Sequence, residues 1–273
     1  MEEKPVANKT LTIAYLDLRK AVGYLGIALP VVVSLGALRF FGNAIQGSIS
    51  GYYYTGMRDV FVGTLWAIGI FLWSYQGHEL ADQIAGHLAC IFAIGVTLFP
   101  TAPDCPPLDP TLPTAPACSS PLSFSTALTI GIVHFAFATL FFLTLIYFCL
   151  FLFTKSDMDL SKTPKDIDPD RKRWTRKHMR NNIYKVCGIV MLVCILLSAG
   201  YAILAYASIL PSAAVRLVTN YHPLLWFEWL AIWAFGFSWL TKGQAILKDE
   251  AQPLKESQTK SNQPAQRKTT SRR

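Results

Sequence analysis

Charged residues are scarce in this chain and unevenly distributed. Of its 273 residues, 15% are charged and 52% are hydrophobic, whereas a soluble domain carries about 25% charged residues. Long windows contain no charge at all, and lysine and arginine are concentrated in a few short segments. This pattern excludes an ordinary soluble domain and is typical of a protein that crosses a membrane several times.

The sequence also lacks the common motifs of soluble enzymes and nucleotide-binding proteins. It contains no G-x-x-x-x-G-K-[ST], G-x-G-x-x-G, H-E-x-x-H or G-x-S-x-G. The first 20 residues are polar, so no cleavable signal peptide is expected. The net charge of +8 is explained by basic segments at a cytoplasmic membrane face, so no nucleic-acid partner is expected.

Six apolar segments are long enough to predict membrane-spanning helices, and the predicted fold class is therefore all-α, a polytopic transmembrane helical bundle. The predicted domains are a cytoplasmic N-terminal segment (1–20), a transmembrane domain (21–242) and a disordered basic cytoplasmic tail (243–273). The six predicted spans are 21–41, 58–75, 84–99, 124–153, 183–210 and 223–240.

The distribution of basic residues predicts the orientation. Residues 154–185 include ten lysines and arginines, whereas residues 100–123 include none. By the positive-inside rule, the basic segment and both termini face the cytoplasm, which agrees with an even number of spans. We expect a multi-pass protein of the bacterial inner (plasma) membrane. The stretch 168–180, "DPDRKRWTRKHMR", is expected to attract anionic lipid headgroups, although the positive-inside rule also accounts for its charge.

The six cysteines fall into two groups. Cys105 and Cys118 lie in the proline-rich loop that the charge pattern places outside the cell, where disulfides persist. We therefore predict a Cys105–Cys118 disulfide. The other four lie in apolar helices and are expected to be small buried side chains: Cys90, Cys149, Cys187 and Cys194.

Ionisable residues at membrane depth are the candidates for function, because such residues are costly and rare there. The predicted topology gathers several of them in the outer half of the bundle, beside the connection that leads into the second span. The candidates for ligand binding are Ser48, Tyr53, Arg58, Asp59, His134 and Glu228.

Arg58 and Asp59 stand side by side where the second span begins. Asp59 then lies near the positive end of the helix dipole, and Arg58 is predicted to pair with Glu228 of the sixth span. These charges also have a structural interpretation, as interfacial anchors or as an ion pair between helices. His134 is expected to make a hydrogen bond between helices, and the alternative interpretation is that it binds a metal.

Small residues recur every fourth position in the third span, at Ala85, Ala89 and Ala93. This spacing predicts a seam for close helix packing.

Three stretches carry a resemblance to known membrane proteins: "SISGYYYTGMRDVFVGTLWAIG", "FAIGVTLFPT" and "FEWLAIWAFGFSWLTKG". They resemble a family of uncharacterised bacterial multi-pass membrane proteins, of the domain-of-unknown-function type. The six-span plan is distantly similar to DRAM/Frag/Sfk-type membrane proteins, a family associated with lipid and membrane homeostasis.

The chain is also similar to the ceramidase-like membrane hydrolases, which use a serine, an aspartate and histidines around a zinc ion. That resemblance implies metal-ligand roles for Asp59, His134 and His222. The sequence departs from the pattern in having six predicted spans rather than seven. It also has Glu228 in the last span, where those enzymes have a paired H-x-x-x-H.

The leading functional hypothesis is a non-enzymatic membrane protein that binds or senses a lipid or small ligand through a polar pocket in the outer leaflet, without a cofactor. The alternative is a metal-dependent membrane hydrolase with zinc. A third possibility is a small transporter or a subunit of a membrane complex, although the internal repeats common in transporters are not evident.

Overall fold

The computed structural model describes residues 4–75, 77, 79–101, 124–155, 169–206 and 220–248. Within these residues the chain is helical and contains no strand, which confirms the predicted all-α class. A 3₁₀ helix, Ser50–Tyr54, precedes the second α-helix, and a π-helical turn, Phe148–Leu152, extends the fourth. The six α-helices of the described residues are α1 (Lys4–Phe40), α2 (Arg58–Trp73), α3 (Leu80–Leu98), α4 (Phe124–Tyr147), α5 (Pro169–Tyr206) and α6 (Pro223–Lys242).

Five segments of the described residues are long and apolar enough to cross a membrane, which indicates a multi-pass membrane protein. They are Ile13–Phe40, Leu80–Leu98, Thr129–Leu152, Thr175–Leu204 and Pro223–Lys242. The sixth predicted span corresponds to α2, which has 16 residues. At 1.5 Å per residue α2 is about 24 Å long, shorter than the ~30 Å hydrocarbon core of a bilayer. In the residues that the structure describes, length and composition therefore support five spans, and the predicted sixth is not confirmed.

Two of the helices begin earlier than the apolar segments that predicted them. Helix α1 begins at Lys4 rather than near Ala21, and α5 begins at Pro169 rather than near Ile183. Apolar runs mark where lipid surrounds a helix, whereas helix propensity lets polar residues such as lysine and arginine extend it beyond the membrane. Most of the basic stretch 168–180 is therefore helical.

One end of the bundle is formed by the α1–α2 connection and its neighbours. The Tyr54 hydroxyl donates a hydrogen bond to the carbonyl oxygen of Thr101 at 2.6 Å. The Ile49 backbone N–H donates to Oε2 of Glu228, near the start of α6, at 2.6 Å. We call this the Glu228 end.

The opposite end carries basic residues. The Lys155 ammonium pairs with Oε2 of Glu79 at 2.6 Å, and Arg176 donates to the carbonyl oxygen of Lys248 at 2.8 Å. The Arg19 guanidinium lies 5.3 Å from the ring centroid of Tyr75, just after α2. We call this the Arg19 end. Residues 243–248, predicted as part of a disordered tail, pack here, and the rest of the predicted tail lies outside the described residues.

Glycine brings α1 and α6 into close contact. A Cβ atom at Gly236 would lie 2.9 Å from the carbonyl oxygen of Gly23 and 3.1 Å from the backbone nitrogen of Ile27. The indole N–H of Trp233 donates to the Ile27 carbonyl oxygen at 3.1 Å. The two backbones approach closely enough for a side chain to hydrogen-bond across to the neighbouring main chain, as small residues allow in membranes.

The alanine seam on α3 is confirmed. Ala85, Ala89 and Ala93 are 4%, 0% and 0% exposed, and Gly69 of α2 lies against Ala93 and Cys90. Cys90, Cys149, Cys187 and Cys194 are free and buried, as predicted. Cys105 and Cys118 lie outside the described residues, so their disulfide stays a prediction.

Candidate functional site

A lateral cleft at the Glu228 end is a candidate site. It lies between α4, α5 and α6 and has a volume of about 580 Å³. Ile132 and Ile203 at its rim are 63% and 62% exposed, so the cleft opens on the side of the bundle. The lining is mostly apolar, with Thr139 and Ser198 as polar uncharged members, and Glu228 is the one charged side chain among the described lining residues. The predicted polar pocket is thus mainly apolar.

Glu228 connects the lateral cleft to the interior of the bundle. It is half-buried and its Oε2 accepts the Ile49 N–H, just before the 3₁₀ helix. It also lines a second cavity of about 60 Å³, which shares Ala138 and Phe142 with the cleft and includes Ser50. The carboxylate therefore stands between the cleft, the inner cavity and the α1–α2 connection. Of the six predicted candidates, Glu228 is the one that lines either cavity.

Ser48 and Tyr53 shape the α1–α2 connection. Ser48 is buried, and its hydroxyl accepts the Gly51 N–H at 2.9 Å, which closes the first turn of the 3₁₀ helix. The Tyr53 hydroxyl accepts a hydrogen bond from Nη2 of Arg58 at 2.7 Å, and its ring centroid lies 4.5 Å from the guanidinium carbon of Arg58. Burial, and then the neighbouring Tyr53, raise the pKa of the Tyr54 phenol, while Arg58 opposes the shift. The Tyr54 phenol therefore remains a hydrogen-bond donor at neutral pH.

The predicted Arg58–Glu228 pair is wrong. Among the described residues, the ion pairs within 4.0 Å join Lys20 to Asp17 and Lys155 to Glu79. Arg58 is exposed at the start of α2, and its guanidinium donates to the hydroxyl of Tyr53, five positions earlier. Asp59 is exposed too and lines neither cavity, so it does not share a cavity with Glu228 as predicted. A local tyrosine partner for the arginine was not recognised in the sequence, although "YYYTGMR" contained it.

His134 makes the hydrogen bond between helices that the sequence predicted. It is 2% exposed on α4, and its Nδ1 lies 2.7 Å from the Phe99 carbonyl oxygen and 3.1 Å from that of Val96. Carbonyl oxygens only accept hydrogen bonds, so Nδ1 carries the proton. The ring thereby satisfies backbone groups at the carboxyl-terminal end of α3, where helix carbonyls lack partners within the helix.

The three residues expected to bind a metal are not brought together. No group of three or more histidine, cysteine, aspartate or glutamate side chains within the described residues is placed to hold a metal ion. Nδ1 of His134 is hydrogen-bonded to the Phe99 carbonyl oxygen at the end of α3, and Asp59 is exposed. His222 precedes α6 in a left-handed conformation with φ of 49°. The arrangement that the ceramidase-like resemblance implies is therefore not present in these residues.

Sequence reasoning missed the apolar lining of the cleft and its two hydroxyl residues, Thr139 and Ser198. Both lie within long apolar helices, where threonine and serine are ordinary, so no sequence signal distinguished them.

Comparison with protein-family models, with curated proteins and with solved structures finds no match to this chain.

Proposed function

We propose that this chain is a non-enzymatic integral membrane protein that binds a lipid-like amphiphile in the lateral cleft. The observation that carries the proposal is a single carboxylate, Glu228, in a mostly apolar cleft of about 580 Å³ that opens on the side of the bundle. This volume lies within the range of about 300–1,000 Å³ found for small-molecule sites. In a membrane, the side of the bundle faces acyl chains, so a lipid-like molecule reaches the cleft without passing through water.

The lining indicates the chemistry of the ligand. Apolar side chains such as Phe135, Phe142 and Phe227 suit a hydrocarbon chain. Glu228 suits a head group that carries a positive charge or donates hydrogen bonds, such as a protonated amine or a hydroxyl group. Thr139 and Ser198 add hydrogen-bonding hydroxyls within the same cleft. An anionic head group would be repelled by the carboxylate.

The proposal includes a six-span topology in the bacterial inner membrane, with both termini in the cytoplasm. Helix α2 serves as the sixth span in spite of its length. Its start lies beside Tyr53 at the Glu228 end, and Tyr75, the second residue after its end, lies beside Arg19 and Trp239 at the other. Further support comes from the packing of Gly243 against Lys20, which brings the start and end of the bundle to one side.

Photocrosslinking tests the cleft. Purified protein in lipid nanodiscs would be labelled with a photoreactive, alkyne-tagged long-chain alkylamine, and in parallel with the fatty acid of the same chain. The amine is expected to label α4, α5 and α6 at the cleft in preference to the acid. Glu228→Gln should abolish that preference, and Ala202→Phe, which fills the cleft, should abolish cleft labelling by both probes.

Ala136→Phe is the matched control, because Ala136 is an exposed alanine of α4 outside the cleft lining. It should label like the parent protein. Labelling that is spread over all helices and unaffected by Ala202→Phe would contradict the proposal.

A separate labelling experiment tests the topology. Single cysteines would be placed at Asn43 and Gln244 and treated with a membrane-impermeant maleimide in intact cells. The proposed orientation predicts labelling at position 43 and protection at position 244. Labelling of both positions, or of 244 alone, would contradict it.

A further inference from the structure

The inner cavity, the second of the two cavities that Glu228 lines, is small and enclosed. Its volume is about 60 Å³. Leu29, Ile49 and Leu145 in its wall are 3%, 2% and 1% exposed. Ser50 is the one polar uncharged residue among its described lining residues. The inner cavity is therefore a mainly apolar space inside the bundle, with one hydroxyl residue and one carboxylate residue in its wall.

The inner cavity and the lateral cleft adjoin each other. Ala138, Phe142 and Glu228 line both of them. The cleft opens on the side of the bundle, where Ile132 and Ile203 are exposed. A molecule that enters the cleft from the lipid therefore reaches the inner cavity past these shared residues, without crossing the rest of the bundle.

The carboxylate of Glu228 lies against the wall of the inner cavity. Its Oε2 accepts the Ile49 N–H at 2.6 Å. Ile49 and Ser50 line the inner cavity but are not among the described residues that line the cleft. A carboxylate accepts up to about four hydrogen bonds, so the bond from Ile49 is compatible with a further donor at the same group. A head group that binds this carboxylate is thus placed at the inner cavity, while its hydrocarbon chain remains in the cleft.

We propose that the inner cavity receives the head group of the ligand and selects a primary amine over amines that carry methyl groups on nitrogen. This inference rests on the proposed function, because the hydrocarbon chain must occupy the lateral cleft. A charge-assisted hydrogen bond to Glu228 holds the head group, and the wall of the inner cavity limits its size.

Volume supplies the selectivity. A water molecule occupies about 30 Å³ in the liquid, and an ammonium group or a methyl group is of about the same size. A primary ammonium group therefore needs about 30 Å³ and fits an inner cavity of about 60 Å³. A dimethylammonium group keeps the charge and one N–H donor but needs about 90 Å³. It would have to displace buried side chains, and such overpacking is unfavourable.

Competition between two amines tests this size limit. Purified protein in lipid nanodiscs would be labelled with the photoreactive long-chain alkylamine, in the presence of unlabelled octadecylamine or N,N-dimethyloctadecylamine. Both competitors are protonated at neutral pH and carry the same chain, and both retain an N–H donor, so they differ chiefly in the bulk of the head group. The dimethyl compound should need a concentration at least about tenfold higher to halve cleft labelling. Equal competition by the two amines would overturn the inference.

Leu145→Ala enlarges the inner cavity, because Leu145 is a buried part of its wall. The variant should bring the two competitors within about threefold of each other, since the removed carbons make room for the methyl groups. Leu152→Ala is the matched control. Leu152 is a buried leucine in the π-helical turn that extends α4, and it is not among the described residues that line either cavity. It should retain the tenfold difference. The same result in both variants would contradict a head-group site in the inner cavity.

Ile68→Val keeps the result interpretable if Leu145→Ala unfolds. Ile68 is 2% exposed and lines the inner cavity, and the change removes a single methyl group. The difference between the competitors should narrow to about three- to fivefold. An unchanged difference would contradict the size limit.

The outcomes separate this inference from the proposed function. If the two amines compete equally while Ala202→Phe still abolishes cleft labelling, the head group stays in the cleft and only this inference fails. If the alkylamine does not label the cleft, both fail.

Discussion

The carboxylate of Glu228 accepts a hydrogen bond from the backbone N–H of Ile49 at 2.6 Å, across 179 positions of sequence. This bond joins the start of α6 to the connection between α1 and α2. It holds the 3₁₀ helix beside the inner cavity and fixes one wall of the lateral cleft. The residue proposed to select the ligand is thus also a structural link at the Glu228 end.

Glu228→Ala should lower the free energy of unfolding by about 1.5–3 kcal/mol, because it removes a hydrogen bond to a charged acceptor and leaves the Ile49 N–H without its partner. Glu228→Gln keeps an acceptor oxygen and should cost about 1 kcal/mol or less. Reversible unfolding in detergent measures both. Asp59→Asn is the control, since Asp59 is exposed, and it should stay within about 0.5 kcal/mol of the parent protein. An equal effect of all three changes would contradict this role of Glu228.

Arg58 and Glu228 should behave independently in a double-mutant cycle. Because Arg58 bonds to Tyr53 and not to Glu228, the effects of Arg58→Ala and Glu228→Ala on unfolding should add within about 0.5 kcal/mol. The cycle of Arg58→Ala with Tyr53→Ala should instead show a coupling of about 0.5–1 kcal/mol. The reverse pattern would mean that Arg58 leaves Tyr53 and reaches Glu228 in the membrane.

His134→Ala should destabilise the protein by about 2–4 kcal/mol. The change leaves a cavity at a residue that is 2% exposed, and it removes the N–H that serves the Phe99 and Val96 carbonyl oxygens. Leu140→Ala, at a 43% exposed position of the same helix, should cost less than about 1 kcal/mol. Metal analysis of the purified protein is the second measurement. Near-stoichiometric zinc that disappears in His134→Ala would revive the hydrolase alternative.

Gly236→Ala should separate α1 from α6. The added methyl group would meet the Gly23 carbonyl oxygen at 2.9 Å, and backbone does not move aside as a flexible side chain does. We expect a loss of about 1–3 kcal/mol in the free energy of unfolding. Gly63→Ala is the control, because a Cβ atom there meets nothing within 4 Å. It should be neutral or stabilise α2 by up to about 1 kcal/mol. Matching losses in the two variants would contradict close packing at Gly236.

The Cys105–Cys118 disulfide remains a prediction from sequence. Mass spectrometry of non-reduced digests, taken from cells with an oxidising periplasm, should find the two residues linked. The entropic contribution of closing this loop is about 3 kcal/mol, so reduction should lower the thermal unfolding midpoint. Free thiols at both positions would contradict the prediction.

The helical class, the apolar spans and the role of His134 could be predicted because they depend on local sequence and on the free-energy cost of an unpaired polar group in lipid. A backbone in lipid must satisfy its own hydrogen bonds, so long uncharged runs become helices. A polar ring at membrane depth needs a partner, and His134 finds it in the carbonyl groups of α3. The alanine repeat of α3 also determined its buried face, because residues four apart share one side of a helix.

The partners of Arg58 and Glu228 were decided by tertiary structure. Sequence placed both charges in the same half of the bundle, but depth along a helix does not specify the direction in which a side chain points. The 3₁₀ helix offers the Tyr53 hydroxyl to Arg58, and Ile49, just before that helix, offers its backbone N–H to Glu228. These two hydrogen bonds, one within the connection and one across 179 positions of sequence, replace the direct ion pair.

The sequence alone determined that this chain is a helical membrane protein. Its composition and the length of its apolar runs depend on the lipid that surrounds the helices, and not on which helices pack together. Only the tertiary structure decided which side chains meet. The lateral cleft depends on how α4, α5 and α6 separate, and the approach of α1 to the end of α6 depends on Gly243 packing against Lys20. Contacts between residues far apart in sequence arise from helix rotation and close packing, which one-dimensional periodicity constrains only in part.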